Sequence, residues 1–165
     1  MADILREDPE KLDEAYGYAE ISYQRGQEAS LTIMAMIKLD KEEYNDALDL
    51  IQSFRPTTLL ENTIAKTIEA KANTGLLDFS RASEILSQLD HTEDHYVCLA
   101  MINNAIEETK HLFFEGNKAT SVKKYRELEI MIREGRQNFP MHTQFNAVEE
   151  LRAELRTLLE LNEPK

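Results

Sequence analysis

The sequence predicts an all-α protein of about eight helices stacked as antiparallel hairpins. A repeated helical pattern and a shortage of helix breakers both point there. Tyr44-Asn45-Asp46-Ala47-Leu48-Asp49-Leu50-Ile51 is followed 35 residues later by Phe79-Ser80-Arg81-Ala82-Ser83-Glu84-Ile85-Leu86. Aromatic, small and paired aliphatic residues fall at the same offsets, and Phe54 meets Leu89 in the same register. The preceding helix keeps the offset, with Ala35 matching Ala70, Ile33 matching Ile68 and Ser30 matching Ala65. A two-helix period of this length is the signature of a stacked helical array. The 165 residues include only five Gly and four Pro, and strong helix formers dominate the rest. No alternating strand pattern stands out.

Each helix has its start and stop signals. Asp8-Pro9 offers a carboxylate cap with proline at the first helical position, and Gly26 closes that helix in a conformation glycine adopts freely. A second helix spans 27–39. Asp40-Lys41-Glu42-Glu43 reads as the cap of a third, which runs to Phe54 before Pro56 breaks it. Thr58 with Glu61 forms the next capping box, and the fourth helix ends at Gly75. Asp78 caps the fifth, which reaches Leu89. Asp90 or Thr92 caps a longer sixth helix, through Phe114 and closed by Gly116-Asn117. The seventh covers 120–134 and stops at Gly135. After Pro140 the last helix is capped at Thr143 and reaches Leu161.

A third copy of the motif is read at Tyr125-Arg126-Glu127-Leu128-Glu129-Ile130-Met131-Ile132. It lies 46 residues beyond Phe79, an extra eleven residues, close to three helical turns. One helix pair cannot cover its own apolar stripe and must stack on a neighbour. Ala47 and Ala82 are small where helices approach closely. Phe145, Val148, Leu151, Leu155 and Leu158 give the last helix an apolar face suited to capping the stack. The expected organisation is one domain over 1–165, with clear repeats at 27–90, a degenerate long hairpin at 91–135 and a capping helix at 143–161.

At these residues the chain resembles the tetratricopeptide-type helical repeats, or their 35-residue pentatricopeptide relatives. The stretch Ala70-Lys71-Ala72-Asn73-Thr74-Gly75-Leu76-Leu77-Asp78-Phe79-Ser80-Arg81-Ala82 is similar to the family's turn: a Gly before the second helix, an aromatic, then the signature Ala. The chain departs from the family in having no Trp, in lacking a Pro in register at the unit's end, and in carrying Asp40 for the turn Gly in the first copy. The resemblance implies an α-solenoid whose first helices line a groove that binds peptides or protein surfaces.

Composition narrows the function classes. Hydrophobic content of 42% with 30% charged residues is that of a globular protein. No apolar run approaches the ~20 residues needed to span a bilayer. The start has neither a basic nor an apolar signal region, and the single Cys98 excludes an internal disulfide, so a cytoplasmic location is expected. Residues 1–117 carry 23 acids and 10 bases, while 118–165 carry 8 acids and 9 bases, within a net charge of −12. Such an acidic body disfavours nucleic acid, whose binding is driven by Lys and Arg on phosphate. It is compatible with a basic protein partner.

Chemistry-bearing clusters are sparse. His91, His95 and Cys98 have metal-like spacing, but no second His/Cys pair completes the set zinc requires. Glu108 and His111 have the spacing of di-iron bundles, which need two such motifs. There is no phosphate loop and no nucleophile elbow. No enzyme activity, cofactor or bound metal is therefore expected. Two polar stripes are the candidate recognition residues: Asn62, Lys66, Glu69 and Asn73 on the fourth helix, and Asn104, Glu108, His111 and Glu115 on the sixth. Amides there can hold a peptide backbone and Lys can meet a carboxylate. The sequence thus points to a non-enzymatic adaptor, chaperone or regulatory subunit. The alternative is an acidic decoy that covers a basic surface of a nucleic-acid enzyme.

Overall fold

A computed structural model describes residues 8–159. Among these residues the regular structure is all helical: a 3-10 turn at Pro9–Lys11, then α1 (Leu12–Gln24), α2 (Ser30–Asp40), α3 (Tyr44–Ser53), α4 (Leu59–Gly75), α5 (Phe79–Leu86), α6 (His95–Phe114), α7 (Lys118–Asn138) and α8 (Gln144–Leu158). No helix among them is long and apolar enough to cross a membrane. The expected end of the last helix at Leu161 lies outside the described residues.

Several caps form as the sequence requires. Asp8 accepts from the Glu10 N–H at 3.1 Å. The Thr58–Glu61 capping box closes in both directions, each bond at 3.1 Å, and Asp78 accepts from the Arg81 N–H at 3.0 Å. Two of the expected caps fall elsewhere. Asp40 ends α2 rather than capping α3, because the chain reverses through Glu42 at φ 59°. Asp94 caps α6, accepting from Tyr96 and Val97 N–H groups, while Asp90 folds back on Thr92 in the preceding turn.

Of two glycines expected to end helices, Gly75 does so and Gly135 does not, and both stand at close contacts between helices. Gly75 is the last residue of α4, and a Cβ there would collide with the ring of Tyr44. The left-handed residue that closes α4 is Leu77, at φ 64°. Gly135 lies within α7, where a Cβ would stand 2.8 Å from Cys98 Sγ and 2.7 Å from the Phe145 ring.

Three of the turns between helices share one bonding pattern. After α2, the N–H groups of Lys41, Glu42 and Glu43 donate to the carbonyls of Ile37, Leu39 and Lys38. After α4, Leu76, Leu77 and Asp78 donate to Ala72, Thr74 and Asn73, the same three bonds 35 residues on. After α6 the pattern returns at Glu115, Gly116 and Asn117. That third turn is 39 residues beyond the second, one helical turn more than 35. The register therefore puts Ser121, not the Tyr125 motif, in the third small position. Ser121 is fully buried like Ala47 and Ala82, and its hydroxyl donates to the Thr109 carbonyl at 2.8 Å.

The chain packs as two compact units, one through Ile85 and one from Leu86. In the first, α2 packs on α1, α3 and α4, and α3 on α4. Leu31, Met34, Ala35, Ile51, Phe54 and Ile68 form its core. In the second, α6, α7 and α8 all pack on one another. Its core includes Ile102, Ile106, Leu128, Ile132, Phe145 and Leu155. Burying one such aliphatic or aromatic side chain contributes about 1.5–3 kcal/mol, so the apolar faces set which helices pair.

Candidate functional site

On α4, the line Asn62, Lys66, Glu69 and Asn73 is half-buried. Ile68 and Ala72 are buried, and Ile64 is packed against the core. Asn73 and Glu69 are tied to the protein's own helices. The Asn73 amide donates to the Glu69 carbonyl of its own helix at 2.8 Å, and the Glu69 carboxylate meets Arg81 of α5 at 3.6 Å. Asn62 and Lys66 lie nearer the start of α4 and complete the half-buried line. Leu59 and Leu60 stand exposed in the first turn of the same helix.

On α6 the stripe is not a solvated line. Asn104 is 3% exposed and belongs to the interior of its unit, a correction to its reading as a groove residue. Helical spacing alone could not separate it from its neighbours, since an amide satisfied inside a unit and one facing water occupy the same helical position. Glu108 pairs with Lys124 of α7 at 2.9 Å, fastening the hairpin. His111 is half-buried, 3.2 Å from Glu115. The α4 and α6 stripes belong to different units, so each is a separate candidate face.

Cys98 is buried beside Gly135. Burial, and secondarily the charge of Glu134, pushes its thiol above the ordinary cysteine value, which disfavours the thiolate needed for nucleophilic or metal chemistry. A recess of ≈ 260 Å³ opens beside it, lined by His91, Met101, Ile102, Met131 and Glu134 among others. The His95 ring lies over His142 instead. Among the described residues no three His, Cys, Asp or Glu side chains converge on a metal position.

Sequence reasoning missed two clusters. Lys38 is held by Glu43 and by Asp46 at 2.9 Å, with its ammonium 5.3 Å from the Tyr16 ring centre. The hydrogen bonds to Glu43 and Asp46 outweigh partial burial and hold it well above the usual lysine range. The opposite charges five and eight residues after Lys38 were the available signal. The stacked pair His95 and His142 had no signal in spacing, because the two lie far apart in the chain.

The chain matches no protein-family model, no curated protein and no solved structure.

Proposed function

We propose that this protein is a non-enzymatic interaction module of tetratricopeptide-like build. In this reading α2 and α4 are the leading helices of successive hairpins, and α4 presents a recognition line to a peptide or protein surface. The observation that carries the reading is the recurrence of the α2–α3 turn, bond for bond, 35 residues later at α4–α5. The direct packing of α2 on α4 supports it, since leading helices of adjacent hairpins touch in such arrays. Asn62 and Lys66 would then hold the partner's backbone or carboxylate, with Glu69 and Asn73 completing the line. Asn104 is interior, Glu108 is paired with Lys124 and His111 with Glu115, so these three are left out of the recognition line. A cytoplasmic adaptor or regulatory subunit is the role this implies.

The test starts from a pull-down with mass spectrometry to supply the partner. Calorimetric titration then compares the parent with the Asn62→Ala/Lys66→Ala double variant. Substituting half-buried polar groups of this kind should shift stability by about 0.5 kcal/mol at most, while affinity falls about tenfold or more. Unchanged affinity with an unchanged melt would sink the α4 assignment. The acidic-decoy reading rests on the excess of acids over residues 1–117. It requires binding that weakens steeply with added salt.

A further inference from the structure

We propose that His95 and His142 form an acid-sensitive clasp, which holds α8 against α6 and α7 at neutral pH and releases it on acidification. The two rings stack with centroids 3.7 Å apart and planes 27° from parallel. His95 is the first residue of α6, and His142 lies in the connection between α7 and α8. Phe139 sits against both, at 6.0 Å from His95 and 6.1 Å from His142. Phe139 in turn stacks on Phe145 at 6.3 Å, and Phe145 is fully buried in the core that α8 shares with α6 and α7. An unbroken aromatic chain thus joins the start of α6 to the first turn of α8.

The surroundings suit neutral rings and not charged ones. From α6, Asp94 is the carboxylate that acts on His95, but it is occupied in capping the helix. Tyr96 lies 4.0 Å from the His95 ring. From α7, Arg136 reaches the same corner, donating to the His142 carbonyl at 3.4 Å and to the Asn146 amide oxygen at 2.7 Å. From α8 the facing group is that neutral amide. Protonating both histidines would set two cations ring to ring, beside a guanidinium and at the positive end of α6. Burial first, and then the charge of His142, hold His95 below its ordinary value of 6.5, with Asp94 opposing. A group whose folded pKa is depressed gives its full stability above the ordinary value and loses it as the pH falls. What comes free is the helix that covers Ile102, Leu128 and Ile132.

Hydrogen-exchange mass spectrometry on the full chain, at about pH 7.5 and about pH 5 and corrected for intrinsic rates, tests the clasp. Amides over Gln144–Leu158 should lose protection about tenfold or more in acid, relative to those over Leu12–Gln24. His142→Phe keeps an aromatic partner for His95 and removes one of the two cations, so its loss of α8 protection in acid should be clearly smaller than the parent's. His142→Gln should be less protected at neutral pH and should likewise lose less than the parent in acid. In the parent, α8 amide resonances should follow the titration of the His95 ring. Equal α8 protection in the parent at both pH values overturns the proposal. So does an acid loss that survives both substitutions undiminished, or one that tracks His91 instead of His95.

Discussion

The α2–α3 and α4–α5 hairpins fold through the same turn and fasten it with opposite charges. In the first, the cation is Lys38 on the leading helix, and Glu43 and Asp46 answer it from the turn and α3. In the second, the residue 35 positions after Asp46 is Arg81. It reaches back to Glu69 on the leading helix and sideways to Glu84 at 2.8 Å. The α6–α7 hairpin follows the second polarity, with Glu108 leading and Lys124 answering. The backbone bonds, meanwhile, coincide in all three. The unit is therefore specified by its turn and its small and aliphatic positions. An exposed ion pair is worth only about 0–1 kcal/mol, too little to fix a fold, so its sign is free to vary between hairpins.

The largest expected effect tests whether the small positions are equivalent. Ala47 and Ala82 are both fully buried, so Ala47→Phe and Ala82→Phe should each destabilise by about 3 kcal/mol. Urea titrations of the two variants check this. A large loss in one hairpin with a parent-like curve in the other would break the equivalence on which the comparison stands.

How much of this was legible follows from which features are local. The 35-residue offset, the Thr58–Glu61 box and the Asp78 cap could be read because each depends on residues within a few positions of one another. The apolar faces could be read because helical periodicity reports burial. Side-chain matching points to Tyr125 for a third copy, while the recurring turn bonds fall at Gly116, where Lys118 and Ser121 stand in place of Phe79 and Ala82. Glycine usually punctuates a helix, and Gly75 does end α4, whereas Gly135 lies inside α7; both also sit at close contacts. Their actual role depends on Tyr44, Cys98 and Phe145, contacts between helices that no local rule contains. The candidate site was legible as a line on α4. The burial of Asn104 and the pairing of Glu108 were not, for the same reason.

A smaller effect of known sign concerns the left-handed turn residue, which is Glu42, Leu77 and Gly116 in the three hairpins. A side chain costs energy in that conformation and glycine does not. Glu42→Gly and Leu77→Gly should therefore stabilise by about 1 kcal/mol net of glycine's extra unfolded-chain entropy. Gly116→Ala should destabilise by a similar amount, about 1 kcal/mol. Each change should move the melting temperature by about 2–4 °C for a chain of this size. If Glu42→Gly and Leu77→Gly moved it in opposite directions, the two turns would be alike in geometry but not in energy.

The smallest effect is the one that separates the hairpins by charge. The Lys38 side chain is 19% exposed and that of Arg81 is 47% exposed. Solvent therefore screens the second pair more, and the first should carry the greater part of any stabilisation. Lys38→Met is expected to cost about 1 kcal/mol, and Arg81→Met to leave the melt unchanged. Lys38 is held above its ordinary value, so its contribution is present at and below neutral pH and lost only in strong alkali. The charge-swapped variant Lys38→Glu/Asp46→Arg writes the second hairpin's polarity into the first. Lys38→Glu alone would face Glu43 and Asp46 unpaired and should be the least stable of the set. Adding Asp46→Arg should restore most of that loss, because the turn bonds tolerate either sign. A double variant no more stable than Lys38→Glu alone would mean that the Tyr16 contact requires a cation at position 38, and that the polarity of the first hairpin is fixed by its neighbour α1.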